Sequence, residues 1–359
     1  MESLLDPTSP INEDILFRWA TCICRLDTKC DRVLKRRVVQ LLIASAISLL
    51  SIFLLMRAVD WRHAVEIFHQ GVSVRWLALF PIAAICIVVL CGLRWRMLVG
   101  SKLNNGAAFI AAILGLGGNM LLPARGGDLV RAHYTQEKAK IPYSSIISRL
   151  LVEKVIDLST VFALGMIGIF VVGSPYSIHD SGVLVWAIVI GGGSTAFLVI
   201  VLVRFQSAIV SMLQPLFRLV RRPHFFEKYV VPLLSDAKQS LSFSFMTVPA
   251  LITLGMWLFV YSPAYIVVAN FTGVALTYQE ALLVLFAGAL GLMVPAAPSG
   301  IGTYHASVVS VFTLMGRPAS EGLLLATAVH FLFFLVYAIP ALLMFGCISA
   351  ARMLPRNIE

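Results

Sequence analysis

Residues 107–128 read AAFIAAILGLGGNMLLPARGGD, an apolar run that breaks at Pro123 and then turns charged. The run 107–122 is rich in Ala and Gly and stops short of the about 20 residues a helix needs to cross the hydrocarbon layer. Proline ends helices because it lacks an amide hydrogen and its ring crowds the preceding turn. A backbone broken there frees polar groups that lipid cannot satisfy, so protein, water or a ligand must. A second stretch, 281–302, reads ALLVLFAGALGLMVPAAPSGIG and repeats the behaviour around Pro295. Superposed on the two prolines, both stretches show apolar-Pro-Ala followed by glycine. Interrupted apolar segments at matching places in two halves of a chain point to a transporter binding site. For either break alone, a packing kink is the plainer reading.

The remainder of the chain places these breaks in a membrane. It is 59% hydrophobic and 13% charged, with mean hydropathy +0.90 over 359 residues, against about 45–50% and about 25% for soluble domains. Candidate spans are 38–56, 76–93, 155–173, 183–203, 247–270 and 323–345. With the interrupted runs 107–122 and 281–294 counted among them, no stretch beyond about 45 residues is free of apolar segments, short of the roughly 50 residues of an independent domain, so no soluble catalytic domain is expected. The net charge of +10 does not indicate nucleic acid, because Lys and Arg are scattered in short segments between apolar runs. There they orient the spans and attract anionic headgroups.

Segments 25–37, 94–102, 125–149, 204–238 and 352–356 are basic, whereas 173–182 and 271–280 contain neither Lys nor Arg. Basic segments belong on the cytoplasmic side. A full crossing by 107–122 would put 94–102 and 125–149 on opposite faces, and a re-entrant hairpin removes that conflict. The same argument makes 281–315 dip in from the outer face. The expectation is an all-α polytopic membrane protein with about six full transmembrane helices plus two re-entrant helical hairpins in an inverted-repeat arrangement. Segment 57–75 strains this topology, since Arg57, Arg62 and Arg75 would lie outside, accompanied by Asp60 and Glu66 on an interfacial helix. If both interrupted runs crossed fully with partner helices, the count would rise to eight or more.

The domain division is a cytoplasmic tail 1–37, a transmembrane domain 38–347 and a cytoplasmic tail 348–359, in a bacterial cytoplasmic (inner) membrane. Residues 1–37 are polar and lack the charged-then-apolar order of a signal peptide. Of six cysteines, Cys22, Cys24 and Cys30 lie in this tail, and Cys86, Cys91 and Cys347 lie in apolar runs. The tail trio lacks the usual Cys-x2-Cys pairing and a fourth ligand. Neither a disulfide framework, a metal nor a cofactor is expected.

Ionisable residues crowd the first break: Arg125, Asp128 and Arg131, then Arg149, Glu153, Lys154 and Asp157. Arg149, Glu153 and Asp157 fall at i, i+4, i+8, one face of a helix. A charge at the centre of a spanning helix costs about 2.5–3.5 kcal/mol, so such residues pair or line a wet cavity. Arg149 fits the headgroup zone equally well. Arg125 and Arg131 suit a phosphate, since guanidinium offers a planar fork of donors, with Glu153 and Asp157 holding them in place. Free amides at the start of a half-helix add to an anion site. His305 follows the second break; His330 lies mid-span and reads first as a packing residue. An Asp-x-Asp pair, a Ser-His-Asp set and a nucleotide loop are all missing, so no catalytic residue and no enzyme activity is assigned.

Three motifs carry a family resemblance: Asn119-x3-Pro123-x-Arg125-x-Gly127-Asp128-x2-Arg131, Glu153-Lys154-x2-Asp157, and Pro295-x2-Pro298-Ser299-Gly300-Ile301-Gly302. The chain resembles the flippase-like integral membrane family of the lysylphosphatidylglycerol synthase transmembrane region, with its YbhN- and AglD-like members. The resemblance covers most of the chain after residue 37. It implies lipid translocation: in bifunctional members this domain moves an aminoacylated phospholipid outward after a soluble domain makes it. No counterpart of that soluble domain is expected here. The family usually carries Glu at Asp128, Arg at Lys154, Gly at Ser299 and Glu at His305; the last change replaces an acid with a titratable base.

The expected substrate-binding set is Asn119, Pro123, Arg125, Gly127, Asp128, Arg131, Arg149, Glu153, Asp157, Pro295, Pro298, Gly300, Gly302, Tyr304 and His305. The expected function is a lipid flippase or transporter for an anionic, aminoacylated or polyprenyl-phosphate-type lipid. The expected partner is therefore a membrane phospholipid or lipid-linked substrate and not nucleic acid, with room for a separately encoded lipid-modifying enzyme and for homo-oligomers. Two rivals stand beside it: an integral-membrane transferase on a lipid-linked substrate with Glu153 or Asp157 as general base, and a scaffold subunit for a separate synthase.

Overall fold

The computed structural model describes residues 53, 62, 65–66, 74–122, 125–172, 189–193, 197, 201, 204–219, 224, 226–294 and 298–353, all within the compact unit Ile47–Glu359. The tail 1–37 with its cysteines, most of the expected spans 38–56 and 183–203, and Pro123 and Pro295 themselves lie outside the described residues.

Among the described residues the chain is helical and contains no strand. After the turn of helix Val74–Leu77 come α1 (Phe80–Val99), α2 (Asn105–Leu121), α3 (Gly126–Ala139), α4 (Tyr143–Val172), α5 (Gln206–Leu219) and α6 (Val231–Ser240). Then follow α7 (Phe243–Met256), α8 (Ser262–Thr272), α9 (Tyr278–Met293), α10 (Thr303–Leu314) and α11 (Ala319–Met353). Among the described residues, three helical stretches are long and apolar enough to cross a membrane: Val74–Val99, Ser244–Thr272 and Ala319–Ile348. They contain or overlap the expected spans 76–93, 247–270 and 323–345, and the expected span at 155–173 falls within α4 apart from its last residue.

Local chemistry explains where the helices start and stop. The Asn104 side chain caps α2 by accepting from Ala107 N at 2.7 Å, the usual repair for orphan first-turn amides. Thr277 and Glu280 form a capping box at the start of α9. Leu122 (ψ 141) and Val294 (ψ 123) are extended, as residues preceding a proline must be. Between α7 and α8 the helix widens into a π turn, Trp257–Tyr261, just ahead of Pro263, whose missing amide disrupts the ladder.

Two segments that read as basic loops are largely helical. Arg94, Trp95 and Arg96 sit inside α1, which continues to Val99, so the loop there is reduced to 100–104. Segment 125–149 folds into α3, a short turn, and the first turns of α4. Both ends of α3 are set by residues in the left-handed conformation, Arg125 (φ 57) and Lys140 (φ 54).

The interrupted runs become two tightly packed helix pairs, α2 with α3 and α9 with α10. Glycine permits the closeness. A Cβ on Gly127 would lie 2.3 Å from Asn119 N and from Gly115 O, and one on Gly291 would lie 2.7 Å from Thr303 O. α2 also packs on α11, where a Cβ on Gly117 would lie 2.2 Å from Tyr337 O. Contacts join α9 to α4 and α8, and α10 to α11. The short turn Pro298–Gly300 in the second break touches α2, the helix that leads into the first break.

Candidate functional site

Buried charge dominates the first break. Arg94, Arg131 and Glu153 are 2%, 5% and 2% exposed. Glu153 stands between the two guanidinium groups: Arg94 Nη2 donates to Glu153 Oε1 at 2.6 Å, and both Arg131 terminal nitrogens donate to the same carboxylate. Arg94 Nη1 also donates to Asp157 Oδ1 and, at 2.8 Å, to Thr253 Oγ1 on α7. The Arg131 guanidinium lies 3.8 Å over the Trp95 ring, a favourable cation–π arrangement when desolvated. Trp95 Nε1 donates to Thr135 Oγ1 at 3.0 Å, and a Cβ on Gly115 would lie 2.8 Å from Arg131 Cδ. Helices α1, α2, α3, α4 and α7 thus meet around one ionic core.

A second network bridges the break itself. Asn119 Nδ2 donates to Asp128 Oδ1, and Asp128 N donates back to Asn119 Oδ1, each at 3.2 Å. Asp128 Oδ2 pairs with Lys154 Nζ at 3.1 Å. Asp128 occupies the first turn of α3, where a carboxylate also suits the helix dipole. Together the two networks balance Arg94, Arg131 and Lys154 against Glu153, Asp157 and Asp128. Arg125 differs: it is exposed, and it pairs with no described residue.

The expected clamp therefore divides. Glu153 does hold Arg131, but Asp157 holds Arg94, and Arg125 stays open. Arg149 shares the helix face of Glu153 and Asp157 yet bonds backbone, its Nε to Leu98 O at 2.8 Å and its Nη1 to Ser145 O at 2.9 Å. With Arg96, which donates to Gly100 O at 2.7 Å, it satisfies carbonyls at the end of α1, as basic residues do at helix C-termini. Outside the spans, burial pushes the Tyr143 phenol up, with Glu137 adding to the shift.

The second break is uncharged. Ser299 (φ 53), Gly300 (φ 66) and Gly302 (φ 92) take left-handed conformations, and α10 starts at Gly302 with no side-chain cap. Ser299 is buried, and its Oγ lies 2.8 Å from His330 Nε2. The His330 ring stacks on His305 with centroids 5.2 Å apart and planes at 24°. Tyr304 sets its edge against both rings, and its hydroxyl lies 2.9 Å from that of Tyr265 on α8. Tyr304 and His305 are thus brought together with His330 and Ser299, while the Gly300 carbonyl accepts from Thr303 Oγ1. Pro295 and the Pro298 side chain lie outside the described atoms.

Sequence reasoning missed Arg94, Trp95, Thr253 and Tyr265, and it undervalued His330 and Ser299. Arg94 was assigned to a loop because hydropathy falls at the first charge. The available signal was the apolar 91–93 that runs up to Arg94 without a break.

Residues 41–341 match the family described as the lysylphosphatidylglycerol synthase TM region. Glycosyltransferase AglD of Haloferax volcanii is 37% identical over 102 residues, covering 27% of this chain and 16% of that protein. The chain thus spans about a sixth of that relative's length. No solved structure matches.

Proposed function

The chain belongs to the family of the lysylphosphatidylglycerol synthase transmembrane region, and on that premise we propose that it is a lipid flippase or transporter. Its substrate is a lipid with an anionic, aminoacylated or polyprenyl-phosphate-type headgroup, moved between leaflets while the tails stay in the bilayer. The observation that carries this reading is the contact of the second break, Pro298–Gly300, with α2, the helix that ends in the first break. Two backbone interruptions on one helix give a headgroup polar partners at membrane depth. Arg125, which pairs with no described residue, supplies a fork of donors at the mouth of the first break, and the ionic core around Glu153 keeps the surrounding helices rigid.

In this reading both pairs are re-entrant, the first from the cytoplasmic face and the second from the outer face, in a bacterial inner membrane with both termini inside. Helix length supports it. α10 has 12 residues and α9 has 16, about 18 and 24 Å at about 1.5 Å per residue, whereas the hydrocarbon core is about 30 Å thick. α3 is too polar to face lipid.

The test is headgroup exposure in proteoliposomes reconstituted with fluorescent anionic and aminoacylated phospholipids and a polyprenyl phosphate. Purified protein should accelerate exposure of at least one, and Arg125→Ala should slow it about tenfold or more, the loss of one charge-assisted contact. Equal rates with and without protein for all three lipids would sink the reading. The transferase alternative draws on the relative's printed name; a covalent lipid product lost with Asp157→Asn would favour it. A scaffold role, with a separate synthase as partner, would be favoured by co-purification of that synthase.

A further inference from the structure

We propose that His305 and His330 form a membrane-embedded site for one shared proton, and that its occupancy sets the state of the second break through Ser299. The inference rests on the lipid-transport reading and supplies it with a regulating ion.

The two imidazoles come from different helices, α10 and α11, and stack at 5.2 Å. Both rings cannot be charged together, because like charges this close repel strongly where the dielectric is low. One imidazolium over one neutral ring is favourable instead. The groups facing the pair are few. From α10 itself comes the Tyr304 phenol, from α8 the Tyr265 phenol bonded to it, and from the break the Ser299 hydroxyl. Helices α1, α2 and α9 contribute no described carboxylate, Lys or Arg that pairs with either ring; Arg94 and Glu280 are bound elsewhere. No described acid therefore neutralises a proton arriving here, and it changes the charge of the site.

The Ser299 contact converts that charge into conformation. With Nε2 bare, the hydroxyl donates to the ring; with Nε2 protonated, the ring donates and the hydroxyl must turn its own proton to a different acceptor. Ser299 is held at φ 53, a conformation a non-glycine residue keeps only when its surroundings fix it. Altering its one side-chain bond loosens the turn that touches α2. An anionic headgroup at that turn would meet a positive ring in the protonated state and a neutral one otherwise.

The experiment uses full-length protein in nanodiscs with 15N-labelled histidine and glycine, scanned from about pH 8 to about pH 4, alongside the proteoliposome assay over the same range. Expected is coupled titration of the His305 and His330 signals with uptake of one proton, and a His305 curve displaced in His330→Gln. Transport should vary at least about threefold over the range in the wild type and become flat in His330→Gln. Ser299→Gly, which suits the left-handed backbone and so folds, should still take up the proton but lose the pH response of transport. Independent titration of the two rings, no titration of either, or an unchanged pH profile in both variants overturns the proposal while leaving lipid transport standing. Absence of transport at every pH sinks the transport reading instead; the shared proton is then decided by the NMR titration, and the Ser299 link by whether Ser299→Gly abolishes the pH-dependent shift of the Gly300 amide.

Discussion

Glu153 is one carboxylate serving two buried guanidinium groups. Removing a partner from a buried ion pair strands a charge, at a cost of about 3–5 kcal/mol. Glu153→Gln should accordingly lower the thermal unfolding midpoint in detergent more than Asp157→Asn does, because Asp157 serves Arg94 alone and its side chain remains 24% exposed. Intrinsic tryptophan fluorescence on heating reads both, since Trp95 lies under Arg131. A smaller loss for Glu153→Gln than for Asp157→Asn would contradict the central role given to Glu153. The stripe of Arg149, Glu153 and Asp157 was legible from spacing alone, as spacing fixes which residues share a helix face. Which arginine each acid meets was not, because Arg94 is 59 and 63 residues away from its partners and arrives only when α1 packs on α4.

At the scale of elements, the breaks were legible because proline acts on its own neighbours, and Leu122 and Val294 show the extended backbone it imposes. The pairing of α2 with α3 depends on Gly127, whose α-carbon fits against the α2 backbone. Gly127→Ala should cost about 1–3 kcal/mol or more from overpacking, whereas Gly106→Ala, with only Asn104 Oδ1 at 3.7 Å, should be neutral or gain up to about 1 kcal/mol in helix propensity. Equal effects on the unfolding midpoint would mean that contact with α2 is not what Gly127 provides. At the other pair, Glu280 joins the start of α9 to the turn before α11, accepting from Thr277 N at 2.8 Å and pairing with Arg317 at 3.3 Å. Burial works against its carboxylate, but the Thr277 amide and hydroxyl and Arg317 outweigh it and hold the carboxyl below its usual range. A depressed carboxyl stabilises the fold above the unfolded value of about 4.3 and loses that contribution as pH falls through the folded value. Glu280→Gln should therefore be less stable than wild type at pH 7 by about 1 kcal/mol, and the two midpoints should converge on acidification below about pH 4.

The whole molecule turns on whether the two pairs enter the membrane and return. Hydropathy suggested this and loop charge oriented it, but the basic loops proved partly helical, with Arg94 buried in an ionic core and Arg149 bonded to backbone. Positive charge therefore counts for less at 94–102 than its sequence implies, and Lys102, Arg125, Lys138 and Lys140 are exposed cations of the first pair and its flanks. Length is the stronger argument, since 12 residues in α10 cannot span the hydrocarbon core. Single cysteines in a background with the six native ones replaced by serine put the topology to measurement with a membrane-impermeant maleimide. Lys102→Cys and Lys138→Cys should label only from the cytoplasmic face, and Gln279→Cys and Pro318→Cys only from the outer face. Ile301→Cys, exposed on the protein surface in the second break, decides between the alternatives. In a re-entrant pair its thiol lies at membrane depth, reached slowly by the maleimide and faster when an anionic lipid is withdrawn. Rapid labelling of Ile301→Cys from the cytoplasm would instead make α9 and α10 cross the whole bilayer, and the two breaks would then open to water on one side each with no shared headgroup site between them.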